Sequence, residues 1–260
     1  MNAIDSAVMI SKSERAVRGQ ALMIAAWEGD AAEVARLLPH CDAKGQAPSG
    51  QTALMFAARS GHREVVTALM PASDADARDF HGQTALMRAA KLGHLEIVKA
   101  LLKASDASIR DNKGHTALMH AVIGGRSDVV KALTAMSDEN ARDEYGKTAL
   151  MYAVVMGSRE VMEPLLPVSD VNARDKWGKT ALMYAASHGY RDLVEMLVSI
   201  SDADACDAAG TTAARHARVI DFHDLASLIE FAVLSKAESV ALASITEGLA
   251  LRSRARSMSL

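Results

Sequence analysis

Several residue types are scarce in this chain of 260 residues, and each scarcity excludes a class of protein. Two cysteines, Cys41 and Cys206, are too few for a disulfide scaffold, so we expect reduced thiols in a cytoplasmic protein. Aromatic residues make up 4% of the chain, which is typical of thin Ala- and Leu-rich helices that stack closely. The C-terminal apolar stretch is interrupted by Lys236, Glu238 and Glu247, so no membrane-spanning helix is predicted.

The chain also lacks an excess of charge of either sign. Its net charge of −3 provides no electrostatic reason to bind nucleic acid. A secretory signal is not expected, because Asp5 stands where positive charge is needed and the apolar run 7–10 is short. The sequence therefore favours a cytoplasmic protein and leaves nuclear or cytoskeletal association and the oligomeric state open.

A repeated motif is the dominant feature that is present. Gly-x-Thr-Ala-Leu-Met-x-Ala recurs at a constant spacing of 32 residues, beginning at Gly50, Gly82, Gly114, Gly146 and Gly178. A degraded copy begins at Gly210, and a copy without its glycine spans 20–26. A fixed period of this length indicates an array of stacked structural repeats.

The motif resembles the ankyrin repeat. Residues 82–94 follow the family pattern, with Ala85 where the family has proline and Met87 where it has histidine, and 95–102 match its second helix. The resemblance extends over about 16–235. It implies an all-α solenoid of about seven helix-turn-helix repeats with short hairpin turns. A chain with little outside its repeats is similar to the ankyrin-only proteins abundant in some protozoan parasites.

Two departures from the family pattern affect the expected structure. The period is 32 rather than 33, so 104–106 must close the second helix without the family's glycine. Loss of the family's histidine should replace a polar contact by a soft apolar one, made by methionine. This slot holds Met23, Met55, Met87, Met119, Met151 and Met183.

The period sets the predicted boundaries. A lead-in (1–15) precedes the array (16–239), and a C-terminal helix (240–251) and a basic disordered tail (252–260) follow it. The repeats are predicted at 16–47, 48–79, 80–111, 112–143, 144–175, 176–207 and 208–239. Ser257 and Ser259 are candidate phosphorylation sites, since each follows an arginine by three residues.

Local signals complete the prediction of each repeat. Thr84 is expected to cap the first helix and Gly93 to end it. Pro164 should kink the second helix of its repeat or end it early, because proline removes a backbone N–H. Asp221 replaces the helix-ending glycine in the last repeat, and Trp27 is expected to pack at the end of the first helix.

No residue pattern points to catalysis. The chain has no phosphate-binding glycine loop, no Gly-x-Ser-x-Gly and no His-Glu-x-x-His, so we predict no catalytic residue, no cofactor, no metal and no enzyme activity. His62 and His94 share one repeat position and are interpreted as caps of the first helix rather than metal ligands.

An Arg-Asp pair also recurs, as in Arg78-Asp79 and Arg110-Asp111. The pair is either a charged strip for a partner or a structural ladder in which aspartate holds the turn and arginine pairs with it or its neighbour. The structural interpretation is favoured, because the strip is neutral in pairs and exposed ion pairs contribute only about 0–1 kcal/mol each.

The hairpin tips vary against this constant frame, which is typical of a recognition surface. Phe80, Tyr145 and Trp177 are large aromatics there, which either fold back onto the adjacent turn or anchor a partner on the concave face. We favour the partner-binding interpretation. Neighbouring lysines favour an acidic surface on that partner. The predicted contact set is Phe80, His81, Arg88, Lys113, His120, Tyr145, Lys147, Tyr152, Lys176, Trp177, Lys179 and Tyr184.

The sequence thus favours a non-enzymatic interaction protein, acting as a scaffold, adaptor or inhibitor. A regulatory or targeting subunit of a kinase or phosphatase system is the alternative. The residues after 220 distinguish the two, because a dedicated subunit should use them for docking.

Overall fold

A computed structural model describes the backbone of residues 12–239. This part of the chain divides into two compact units after Ser169. Its regular structure is helical, with isolated bridges only at Gln46–Thr52 and Cys206–Thr212. Among the described helices, none has the length and apolar character needed to cross a bilayer. The predicted C-terminal helix and the tail with Ser257 and Ser259 lie outside the described residues.

Each repeat contributes two short helices. The first helices are α1 Lys12–Glu28, α3 Ala53–Ser60, α5 Ala85–Leu92, α7 Ala117–Ile123, α9 Ala149–Val155, α11 Ala181–His188 and α13 Ala213–Val219. The second helices are α2 Ala31–Leu37, α4 Arg63–Leu69, α6 Leu95–Leu101, α8 Ser127–Thr134, α10 Arg159–Met162, α12 Arg191–Val198 and α14 at 223–239. A 3-10 turn, Leu38–His40, follows α2.

The motif residues define both ends of the first helices. Thr84 is the N-cap of α5, and its hydroxyl accepts a hydrogen bond from the Met87 N–H at 3.4 Å. Gly93 ends α5 in the left-handed conformation, at φ 86°. Both predictions are confirmed, and the corresponding threonines cap α3, α7, α9, α11 and α13 in the same way.

Stacking between repeats supplies the core that such short helices lack individually. In the first unit α1, α3, α5, α7 and α9 contact one another in succession, and α2, α4, α6, α8 and α10 form a parallel row. In the second unit α11 contacts both α12 and α13. Five of the six motif methionines are buried, with Met87 and Met119 each 1% exposed, whereas Met23 in the first repeat is half-buried.

The second helices end as the shortened period requires. Among the described non-glycine residues, only Asp221 has a positive φ, at 61°, so 104–106 close their turn without a left-handed residue. α10 ends at Met162, two residues before Pro164, and the predicted early end is confirmed. α1 begins at Lys12, so the predicted boundary between lead-in and array falls inside this helix.

One local prediction is extended and one needs correction. The backbone N–H groups of His62 and His94 cap the first helix of their own repeat, as predicted, by donating to the carbonyls of Ala57 at 3.1 Å and Ala89 at 3.0 Å. Their side chains add a second contact, because the Nε2 atoms lie 3.0 Å from the Trp27 carbonyl oxygen and 2.9 Å from that of Arg59, in the first helix of the preceding repeat. The Trp27 side chain was expected to pack, but it is 58% exposed. Its contact with His62 involves only the backbone carbonyl of Trp27.

Two glycines should respond in opposite ways to alanine. Gly19 lies inside α1 with no atom within 4 Å of an added Cβ, so Gly19→Ala should raise the free energy of unfolding by about 0.5–1 kcal/mol. At Gly124 an added Cβ would lie 2.1 Å from the Lys91 carbonyl oxygen, so Gly124→Ala should lower it by about 1–3 kcal/mol. Urea denaturation measures both, and shifts of the same sign would contradict the local packing.

Candidate functional site

A buried aspartate organises each hairpin tip of repeats three to seven. It is the last residue before the predicted start of that repeat, and we count it with the tip that it holds. In repeat five, Asp143 Oδ1 accepts hydrogen bonds from the backbone N–H groups of Tyr145 at 2.9 Å and Lys147 at 2.7 Å. The carboxylate therefore satisfies the amides of the turn and fixes the direction in which the tip residues leave the backbone. Asp175 holds Trp177 and Lys179 in the same way, at 2.9 and 2.8 Å.

The second oxygen of each aspartate binds a side chain of the first helix, nine residues later. Tyr152 donates to Asp143 Oδ2 at 2.6 Å, and Tyr184 donates to Asp175 Oδ2 at 2.5 Å. The tip is thus fastened to the helix behind it by a charge-assisted hydrogen bond. The full set of pairs is Asp79–Arg88, Asp111–His120, Asp143–Tyr152, Asp175–Tyr184 and Asp207–His216.

This bond changes the interpretation of the first-helix residues predicted to contact a partner. His120 is 4% exposed, and Arg88, Tyr152 and Tyr184 are half-buried. For His120 direct contact with a partner was expected, and its burial corrects that expectation, because its ring is turned toward Asp111. These side chains support the tips from behind.

The sequence contained a signal for these pairs that periodicity alone did not reveal. Where the aspartate is present, the residue nine positions later can donate a hydrogen bond. In repeat two the equivalent positions hold Ala47 and Phe56, and both lack the polar group. The two positions therefore change together, as expected of residues in contact.

The recurring arginines have a structural role that differs in detail from the prediction. Arg78 donates to the carbonyl oxygen of Arg110 at 2.8 Å, and Arg110 donates to that of Arg142 at 2.7 Å. In the second unit Arg174 donates to the Cys206 carbonyl. The aspartates hold the turns as predicted. The bonds that Arg78, Arg110 and Arg174 make with the next repeat, however, go to backbone carbonyls, and Arg78 also donates to the Gly82 carbonyl at 3.2 Å.

The predicted anchors are exposed at the tips. Phe80 is 70%, Tyr145 46% and Trp177 50% exposed, and His81, Lys113 and Lys176 are also exposed. Backbone hydrogen bonds join successive tips, as where Asn112 N–H donates to the His81 carbonyl at 3.0 Å. Tyr145 belongs to the first unit and Trp177 to the second. Large apolar side chains are thus presented on a hydrogen-bonded backbone.

Two of the predicted lysines lie against the supporting tyrosines. The Lys147 ammonium is 5.7 Å from the centroid of the Tyr152 ring, and that of Lys179 is 5.8 Å from the Tyr184 centroid. These cation–π contacts hold both lysines half-buried beside the tips. Lys113 and Lys176 carry their charge further into solvent.

Repeat four differs from the others because His115 joins its aspartate pair. His115 Nδ1 lies 3.5 Å from Asp111 Oδ2, and His120 Nε2 lies 3.0 Å from the same oxygen. Burial raises the pKa of Asp111, but hydrogen bonds from His120 and from the His115 and Lys113 amides outweigh it and lower the pKa to about 2. Burial lowers the pKa of His115, against the attraction of Asp111. Periodicity did not reveal this cluster, because histidine replaces the glutamine, lysine or threonine of other repeats only here.

Comparisons with known proteins agree with this geometry. The family model described as ankyrin repeats (3 copies) matches residues 22–111 and 103–175, and the ankyrin repeat model matches 177–208. The chain belongs to the ankyrin repeat family. The predicted all-α ankyrin repeat fold is confirmed, and the chain carries a protein–protein interaction module of that family.

A solved ankyrin repeat structure is similar over most of its length. The ankyrin repeat domain of Bcl-3, a member of the IkappaB protein family, is 29% identical to this chain, with a TM-score of 0.72. The alignment covers 79% of this chain and 96% of the Bcl-3 chain. A search of curated proteins found no match.

Proposed function

We propose that this ankyrin repeat protein binds a partner protein, without catalysing a reaction, through the variable residues of its hairpin tips. We call these residues the tip surface: Phe80, His81, Lys113, Tyr145 and Lys147 in the first unit, and Lys176, Trp177 and Lys179 in the second. The observation that carries the proposal is the exposure of Phe80, Tyr145 and Trp177 on a buried, repeated frame. Scaffold, adaptor and inhibitor are the roles that fit such binding.

The hydrogen bonds that hold each tip explain why its exposed residues are suited to binding a partner. Asp143 and Tyr152 hold the backbone at Tyr145, so a partner meets a tip that is already ordered. Pre-ordered contact groups lose less conformational entropy on binding, and aromatic side chains are frequent interface anchors. The first-helix residues Arg88, His120, Tyr152 and Tyr184 act in this proposal as supports that hold the tips in place.

The charge on the tip surface supports an acidic partner. Lys113, Lys147, Lys176 and Lys179 lie among or beside the aromatic tips, whereas the chain as a whole is negative. The positive charge of these lysines attracts an acidic patch on the partner before the two surfaces touch, whereas the aromatic side chains act only on contact. The lysines therefore increase the association rate. Added salt should therefore slow association more than it speeds dissociation.

Site-specific photo-crosslinking in native extract tests the location of binding. A photoreactive residue at Phe80 should form an adduct with the partner, because the side chain at this tip is exposed. The control position is Met136, which is 60% exposed, follows the end of α8 and does not belong to the tip surface. Adducts at Met136 without adducts at Phe80 would place the interface elsewhere on the repeats.

A further inference from the structure

A cluster of two histidines and an aspartate lies in repeat four, apart from the exposed aromatic side chains of the tip surface. Asp111, His115 and His120 each present one ligand atom, and these atoms all lie within 4.8 Å of one another. Asp111 comes from the hairpin, His115 from the residue before the α7 cap, and His120 from α7 itself. We propose that these three side chains form a site for Zn²⁺, which goes beyond the function proposed above.

The separations between the aspartate oxygen and the two histidine nitrogens suit a tetrahedral ion. With zinc–ligand distances of about 2.0–2.1 Å, ligand atoms of a tetrahedral site lie about 3.3 Å apart. Asp111 Oδ2 lies 3.0 Å from His120 Nε2 and 3.5 Å from His115 Nδ1. Small rotations of the two rings therefore place three ligands around one ion. The ion takes the place of the proton on His120 Nε2, which is released to solvent.

The surrounding groups orient His115 as a metal ligand. When Nδ1 binds the ion, Nε2 carries the hydrogen and needs an acceptor. The Tyr152 hydroxyl lies 3.2 Å from Nε2 and donates its own hydrogen to Asp143 Oδ2 at 2.6 Å. This carboxylate–tyrosine–histidine chain sets the tautomer and the ring orientation that zinc requires.

The position of the site leaves room for a fourth ligand. The side chains of Asp111 and His120 are 4% and 6% exposed, whereas that of His115 is 12% exposed. A cleft of about 420 Å³, lined also by His81, Gln83 and Lys113, opens beside the cluster. Three protein ligands with water in the fourth position is a common arrangement for zinc bound by histidine and carboxylate.

The other repeats provide internal controls for this site. Asp207 and His216 form the same pair in repeat seven, at 2.9 Å, but Thr211 stands where His115 stands in repeat four. The chain itself uses glutamine at this position, as Gln83, and tyrosine in place of His120, as Tyr152. His115→Gln and His120→Tyr therefore remove ligands by substitutions that the fold already accepts elsewhere.

Isothermal titration calorimetry of the full chain, purified without a histidine tag and freed of metal, tests the proposal. ZnCl₂ should bind to wild type at one site. His115→Gln and His120→Tyr should each weaken binding by more than about 100-fold, since even the loss of a supporting residue weakens zinc sites about 10–100-fold. Tyr152→Phe should weaken it by about 10-fold, and His216→Gln should leave it unchanged.

Zinc X-ray absorption of the wild-type complex provides a test that does not depend on the folding of any variant. A spectrum with two imidazoles and one carboxylate supports the site. No stoichiometric binding, or a spectrum without imidazole, would overturn it. Equal affinities for wild type and a folded His115→Gln protein would also overturn it, because zinc would then lie elsewhere.

Discussion

Leu118→Ala is expected to lower the free energy of unfolding by about 2–5 kcal/mol. Leu118 lies in α7, which packs between α5 and α9 in the first unit, and is 0% exposed. The substitution removes buried apolar contacts and leaves a cavity that neighbouring helices on both sides can close only in part. Because each repeat is stabilised by its neighbours, a loss here weakens two interfaces at once.

Leu92→Ala is the matched control for this prediction. Leu92 ends α5 in the same unit and is 41% exposed, so the same substitution should change the free energy of unfolding by less than about 0.5 kcal/mol. Chemical denaturation followed by circular dichroism measures both variants. Equal losses would mean that the stacked first helices do not form the core.

Combined replacement of Tyr145 and Trp177 by alanine is expected to weaken partner binding by on the order of 2–4 kcal/mol. Both side chains are about half exposed at their tips, and their backbone N–H groups are held by Asp143 and Asp175. The substitutions remove the apolar side chains but leave these backbone bonds in place. Binding should therefore weaken while the fold remains.

Affinity for the crosslinked partner, measured with each variant, tests this prediction. Phe231→Ala is the matched control, since Phe231 is 74% exposed on α14 and lies outside the tip surface. Circular dichroism of each variant should match that of the wild type. A double variant with unchanged affinity would exclude the tips as the anchor, and a loss caused by Phe231→Ala would assign that role to α14.

Much of this fold follows from the sequence because the repeat signals are local. Thr84 and Gly93 act within a few residues of their own helix, and the period repeats the same signals along the chain. Pro164 shortens α10 for an equally local reason, the missing N–H. Such effects need no knowledge of distant neighbours, which is why the predicted helix ends were confirmed.

Contacts between repeats were predicted less well. The side chains of His62 and His94 also contact the preceding repeat, where the acceptor carbonyl lies 35 residues earlier in the chain. Arg78 and Arg110 donate to a backbone carbonyl that lies 32 residues later, in the next repeat. Sequence spacing showed that these residues recur, but it did not show which group each one binds across the repeat interface.

The sequence by itself determined the family, the all-α repeat fold and the choice of hairpin tips as the variable positions. Only the tertiary structure decided how those positions are used. It turned His120 inward to Asp111, left Phe80 in solvent, and brought His115 to the same carboxylate. The physical reason lies in the buried aspartate of each tip, because the two oxygens of its carboxylate bind different parts of the repeat. One oxygen satisfies the turn, and the other selects which side chain of the first helix is drawn to it.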